Sequence, residues 1–326
     1  MWTSGRVPDI SCDHEGGIVL YFVIRSYRER QQVDNLRGKY VFITGCDSGF
    51  GNQLARQLDA RGLRVLAACL TQKGAQQLER LSSDRLKTTL LEVTSTESIE
   101  RKNKFAFIST DSPKNPLLRL WGLVNNAGIV HPISPNEWLT KEDYIKVLNV
   151  NLIGLIDVTL HMLPLVKKAK GRVVNVSSIM GRLSLMGGGY CLSKYGVEAF
   201  SDSLRREIHA FGVKVAIIEP GYFRTSMTDI QKSLEILEQQ WLKVPEEIKQ
   251  SYGQPYFNSY NLATRCSTDL YMVTDCMEHA LISKYPHTRY SAGWDSRYIF
   301  IPLSYFPTSI TDFVLTWSFP KPAQAL

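Results

Sequence analysis

The stretch from Tyr40 to Leu70 constrains this chain most. Residues 40–45, Tyr-Val-Phe-Ile-Thr-Gly, form a short apolar run closed by glycine, the mark of a buried strand. Gly45, Gly49 and Gly51 follow in Thr44-Gly-Cys-Asp-Ser-Gly-Phe-Gly. Next comes an amphipathic stretch, with Leu54, Ala55, Leu58 and Leu63 set between Gln53, Arg56, Gln57 and Arg61, and then a second apolar strand from Arg64 to Leu70. Strand, glycine turn, helix and strand make a βαβ unit, which requires a parallel sheet. The glycines let backbone approach a pyrophosphate, and the helix start offers it unpaired N–H groups and a partial positive charge. The spacing is Gly-x-x-x-Gly-x-Gly instead of the commoner Gly-x-Gly-x-x-Gly. A merely tight turn is the plainer alternative. The strand before and the helix after favour nucleotide binding.

The same alternation continues. Strands are expected near 40–45, 64–70, 88–93, 121–125, 172–177, 213–219 and 288–293, and helices near 50–61, 73–82, 140–166, 189–211 and 229–243. That order predicts an α/β fold: a doubly wound, Rossmann-type open parallel sheet in a single domain. The expected layout is an N-terminal segment over 1–35, a dinucleotide-binding catalytic domain over 36–260 and a C-terminal lid or membrane-associated extension over 261–326. Hydrophobic residues at 44% and charged residues at 21% suit such a core. One segment breaks the pattern. Thr94-x-x-Glu97 reads as a capping box, but Pro113 and Pro116 forbid a continuous crossover helix, so 99–119 is an atypical insert.

Tyr190 and Lys194 stand four apart in Tyr-Cys-Leu-Ser-Lys, hence on one helix face, with Ser177-Ser178 upstream. A free phenol titrates near about 10. A fixed cation beside it favours the phenolate, which suits removing an alcohol proton while a hydride leaves the same carbon. Taken alone, the pair reads as a wet helix face, because such pairs are common.

The ordered set Thr44-Gly-x-x-x-Gly-Phe-Gly51, Asn125-Asn-Ala-Gly128, Asn151, Ser178, Tyr190-x-x-x-Lys194 and Pro220-Gly221 resembles the short-chain dehydrogenase/reductase family. Lys39–Leu70, Trp121–Gly128 and Gly171–Thr225 look like its microsomal retinol and 3α(17β)-hydroxysteroid dehydrogenase subgroup. The likeness covers roughly 36–98 and 120–326. It implies catalytic roles for Tyr190 (base in oxidation, acid in reduction), Lys194, Ser178 (holding the substrate oxygen) and Asn151 (a helix bend and a proton-relay water). It implies cofactor contacts from Thr44, Gly45, Asp47, Ser48, Gly49, Phe50, Gly51, Glu92, Asn125, Asn126, Ala127, Gly128, Pro220, Gly221 and Thr225.

The resemblance points to NAD. The residues leave NADP open, because the second strand ends Ala68-Cys69-Leu70-Thr71 without the acid that selects a free ribose 2′-OH, and Lys73 stands nearby. Aromatic and aliphatic residues after Gly221, among them Tyr222, Phe223, Met227, Leu234, Leu237, Trp241, Tyr252, Tyr256 and Phe257, suit an apolar pocket, though many must be core. The expected reaction is oxidation of a lipophilic alcohol, retinol to retinal or a 3α-hydroxysteroid to its ketone. A weak or inactive retinoid or steroid binder and an NADP-dependent carbonyl reductase are the alternatives.

The six cysteines are scattered without ligand spacing, so they read as reduced thiols and no metal is expected. Net charge is +7, yet no nucleic-acid module is visible and none is expected as a partner. The basic run Arg25–Arg30 could meet anionic lipid, whereas Lys167–Arg172 reads as solvated. The apolar run Ile18–Ile24 is too short to span a bilayer, and Tyr298–Phe319 is broken by Pro302 and Pro307. Both fit a chain held weakly at the endoplasmic reticulum membrane, with the cytosol as the other possibility, and as a possible homodimer.

Overall fold

The computed structural model describes residues 23–101, 119–259, 266–317 and 319–325. Its centre is one parallel sheet of seven strands among these residues: β1 (Tyr40–Thr44), β2 (Arg64–Cys69), β3 (Leu86–Leu90), β4 (Leu120–Asn125), β5 (Arg172–Val176), β6 (Lys214–Pro220) and β7 (Arg289–Ala292), ordered β3-β2-β1-β4-β5-β6-β7. The order reverses between β1 and β4, where the carboxyl ends of the strands open a crevice.

Period-two alternation explains the two covered faces. Val41, Ile43, Val65, Ala67, Val174 and Ile218 face one layer, built by α1 (Gly49–Ala60), α2 (Gln72–Arg80) and the later helix Tyr271–Ile282. Phe42, Leu66, Val173 and Val215 face the other, where Val158, Met162 and Leu165, and Leu204 and Ile208, pack from two more helices. Those helices belong to the run α3 (Lys141–Leu148), a π-turn over Asn149–Ile153, α4 (Gly154–Ala169) and α5 (Gly189–Ile208). Next are α6 (Ile230–Lys243), α7 (Glu246–Tyr252), α8 (Gln254–Ser259), α9 (the Tyr271–Ile282 helix) and α10 (Thr308–Thr316).

Several expectations change. The helix expected over 140–166 is two helices joined by the π-turn. The third strand ends at Leu90, short of 93. The helix after β3 runs over 96–101, and its cap is Ser95, whose Oγ accepts the Ser98 N–H at 3.2 Å. Thr94 turns back instead, donating to Glu92 at 2.8 Å. Most of the 99–119 insert lies outside the described residues, although Ile99 is fully buried. Ile18–Phe22 lies outside them too, and 23–29 is helical. Arg172 is not solvated: it is buried over Trp121 and donates to the Ser283 carbonyl at 2.6 Å.

Among the described residues one helical run, Lys141–Ala169, is long and apolar enough to cross a membrane by length and composition. It lies against β4 in the core layer.

Candidate active site

The glycine turn follows directly from β1. Gly45 takes φ 71°, and a Cβ there would stand 2.7 Å from the Ala127 Cα, so a side chain would be both strained and crowded. A Cβ on Gly51 would collide with the Gly45 carbonyl and lie 2.5 Å from Asn126 Nδ2. Asn126 laces the turn to the end of β4 by donating to the carbonyls of Thr44 (2.9 Å) and Gly45 (3.0 Å), while Thr44 Oγ1 accepts from Asn126 N and Ala127 N, both at 3.0 Å. Ser48 caps α1 by position, but its side chain makes no cap bond; it meets Ser226 at 2.8 Å. The first N–H groups of α1 therefore receive no side-chain cap from Ser48. The turn opens on a cleft of about 700 Å³ lined by Gly45, Asp47, Ser48, Gly49, Phe50, Glu92, Asn126, Ala127, Gly128 and Thr225. The cradle closes on any side chain, and the unspent helix start faces it, so these residues fit a dinucleotide's pyrophosphate.

Beside it lies a cavity of about 600 Å³ lined by Ser178, Tyr190, Lys194, Pro220, Gly221 and apolar side chains including Met180, Leu185, Met186, Tyr222 and Phe223. The two spaces share Phe50, Asn126, Gly128, Val130, His131, Thr225 and Met227, so they are contiguous.

In the wall of this cavity Ser178, just past β5, hydrogen-bonds the Tyr190 phenol, and its Oγ accepts the Met180 N–H at 3.1 Å. Ser177 turns the other way, donating to the Lys194 carbonyl at 3.3 Å. Lys194 is 5% exposed; its Nζ donates to the Val176 carbonyl at 2.9 Å and stands 5.6 Å from the Tyr190 ring centre. Burial drives Lys194 down to about 8, against the pull of Glu198 one turn later. Burial likewise pushes the Tyr190 phenol up to about 12, with the Ser178 bond acting in the opposite sense. The chain by itself thus does not make the phenol acidic, contrary to expectation: enclosure outweighs the neighbouring groups.

Asn151 sits in the π-turn and is 1% exposed. Its Oδ1 accepts from Ile129 N and its Nδ2 donates to Ile129 O, both at 2.8 Å, and to Ser193 Oγ at 3.0 Å; Ser193 in turn donates to the Tyr190 carbonyl at 2.6 Å. Asn151 therefore ties the segment after β4 to the helix that carries Tyr190.

Not every candidate reaches the open space. Asn125 points into the core, donating to Thr159 and Asn175 at 2.8 Å each. Thr44, Gly51, Asn125 and Asn151 stand behind the walls. Of the apolar candidates after Gly221, Tyr222, Phe223 and Met227 line the cavity, Leu237, Trp241, Tyr252 and Phe257 pack with Trp138 in another cluster, and Tyr256 touches both. His131 faces both spaces and bonds Ser233 at 3.0 Å. Sequence reasoning missed it, since a lone histidine before proline carries no pattern. It also missed the ion network behind Lys194, where Arg289 meets Glu198 (3.0 Å) and Asp202 (2.9 Å) and Arg182 meets Glu219 (3.1 Å). Glu198, four residues after Lys194 on a buried face, was the available signal. Among the described residues no cluster could hold a metal ion.

The short chain dehydrogenase pattern matches residues 39–235. Human 17-beta-hydroxysteroid dehydrogenase type 6 is 61% identical over 312 residues, covering 94% of this chain and 97% of that protein. Rat retinol dehydrogenase 7 (57%) and human retinol dehydrogenase 16 (56%) match over the same shares. A solved short-chain dehydrogenase from Streptomyces avermitilis superposes with a TM-score of 0.61 at 25% identity, over 79% of this chain and 89% of that one. Levodione reductase shares the fold at the same TM-score and 21% identity, over 77% and 94%. The chain belongs to the short chain dehydrogenase family. It is accordingly a nicotinamide-dependent oxidoreductase acting on a CH–OH group.

Proposed function

We propose that this chain oxidises a lipophilic secondary or allylic alcohol, a hydroxysteroid or retinol, to its carbonyl with NAD. The observation that carries this is the continuity of the two spaces: the glycine-lined cleft shares a wall with a mostly apolar cavity, and that cavity is lined by Ser178, Tyr190 and Lys194. Its volume, about 600 Å³, suits a ligand of that size. The names of the relatives, which act on hydroxysteroids and retinol, supply the substrate class.

Gly45, Ser48, Gly49 and Ala127 would hold the dinucleotide in the cleft, with Pro220, Gly221 and Thr225 beside its reactive end. Bound there, oxidised nicotinamide supplies the hydride acceptor and a positive charge. Ser178 donates to the substrate oxygen and fixes it beside Tyr190. The Tyr190 oxygen takes the hydroxyl proton during oxidation and returns it during reduction. Lys194 keeps a cation behind the phenol, where charge develops in the reaction.

A membrane surface is part of the same reading. Tyr305, Phe306, Phe313 and Trp317 are 55–76% exposed on and beside α10, while Leu315 and Phe319 line the cavity. An apolar surface continuous with the cavity mouth suits uptake of substrate from lipid, at the endoplasmic reticulum in this proposal. The test is direct: purified full chain with NAD and either androstanediol or all-trans-retinol should form NADH, followed by absorbance. Ligand binding without NADH from either alcohol would refute the proposal.

A further inference from the structure

We propose that Asp47 is the residue by which this chain selects NAD over NADP, its carboxylate standing at the end of β2 in place of the acid that strand lacks. The inference rests on the dinucleotide reading above and adds a residue to it.

In dinucleotide folds a free ribose 2′-OH is bonded by an acid at the end of the second strand. Here that end, Ala68-Cys69-Leu70-Thr71, has none. The acid arrives from the glycine turn instead. Asp47 Oδ2 accepts the Leu70 N–H at 2.7 Å, and Oδ1 accepts the Thr71 N–H at 2.9 Å and the Thr71 hydroxyl at 2.7 Å. Thr71 is the N-cap of α2, and its Oγ1 accepts the Gly74 N–H at 3.0 Å. A Cβ on buried Gly74 would lie 2.6 Å from Asp47 Oδ1, so the helix start is hollowed to seat the carboxylate.

Two consequences follow for a 2′-phosphate. The strand-end N–H groups that would receive it are already bonded to Asp47. The phosphate would also bring about 1.5–2 negative charges against a carboxylate, whereas a 2′-OH could donate to it. Glu92 lines the same cleft and adds a second acid. The cations lining it are Lys146 and Lys232; Lys73 is exposed near the start of α2 and does not line it.

A purely structural Asp47 would tie the turn to β2 and affect both cofactors alike. Asp47→Asn separates the two roles, because it keeps the shape and one acceptor but loses the charge. Calorimetry on the full chain with NADH and with NADPH reads the ratio without turnover. Wild type should bind NADH at least tenfold more tightly, and Asp47→Asn should shrink that ratio at least tenfold, chiefly by tightening NADPH. An unchanged ratio, or a wild type that prefers NADPH, overturns the proposal while leaving the dehydrogenase reading intact. NADH failing to bind wild type would remove both. If the variant does not fold, wild type alone decides: its preference should fall as salt rises to about 1 M, where screening acts within about 3 Å. A preference that salt does not change overturns the proposal.

Discussion

Replacing Lys194 with methionine should abolish turnover and make the protein more stable at neutral pH. The ammonium is 5% exposed, and burial lowers it from 10.5 to about 8. That drop corresponds to about 3 kcal/mol against the charged form. Below pH 8 both folded and unfolded chains carry the proton and the penalty is full. Between 8 and 10.5 the unfolded chain still holds a proton that the folded chain has released, so wild-type stability rises with pH across that window. Methionine has a similar length and no charge. Its loss is the bond to the Val176 carbonyl, worth about 1 kcal/mol. The expected gain at pH 7 is therefore about 2 kcal/mol, or roughly 3 °C in Tm. It should be spent by pH 10. Urea unfolding at pH 7, 8, 9 and 10 measures it. A methionine variant less stable than wild type at pH 7, or a difference that stays constant across the series, would refute the reasoning.

Gly51→Ala drives a methyl into the Gly45 carbonyl and the Asn126 amide, so NADH affinity should fall at least tenfold by calorimetry, with about 1–3 kcal/mol lost in unfolding. Arg289→Ala strips the partner from Glu198 and weakens the pairing of Glu219, acids whose side chains are 9% and 2% exposed, and should cost about 3 kcal/mol. Burial holds both acids above their usual range, so the charged forms are the costly ones, and the Arg289→Ala loss should be smaller at pH 5 than at pH 7. Phe313→Ser with Trp317→Ser should lower binding to phospholipid vesicles in flotation while leaving NADH affinity unchanged.

The sheet was legible because its signals are local. Each strand is a short apolar run, and both faces are covered, so Val41 and Phe42 can be equally apolar yet serve opposite layers. The glycine turn was legible because Gly51 has no room for a side chain. What escaped was set by distant contact. Helix α9 carries Val273, Met277, Ala280 and Leu281 at helical spacing, yet no motif drew attention to it. The bend at Asn151 came from the resemblance alone, since a π-turn leaves no periodic trace, and the apolar run after Gly221 divides between cavity and Trp138 cluster for reasons of packing. Residue spacing placed Tyr190 beside Lys194 but carried no account of enclosure, which turns out to govern both of their charges.

The central claim is that the Tyr190 oxygen moves the substrate proton. Steady-state NADH formation by Tyr190→Phe, run beside NADH-binding calorimetry on the same sample, tests it most directly. The account predicts a fall in kcat of about 10²–10⁴-fold with cofactor affinity within a few-fold of wild type. A phenylalanine variant that turns over at the wild-type rate would contradict it.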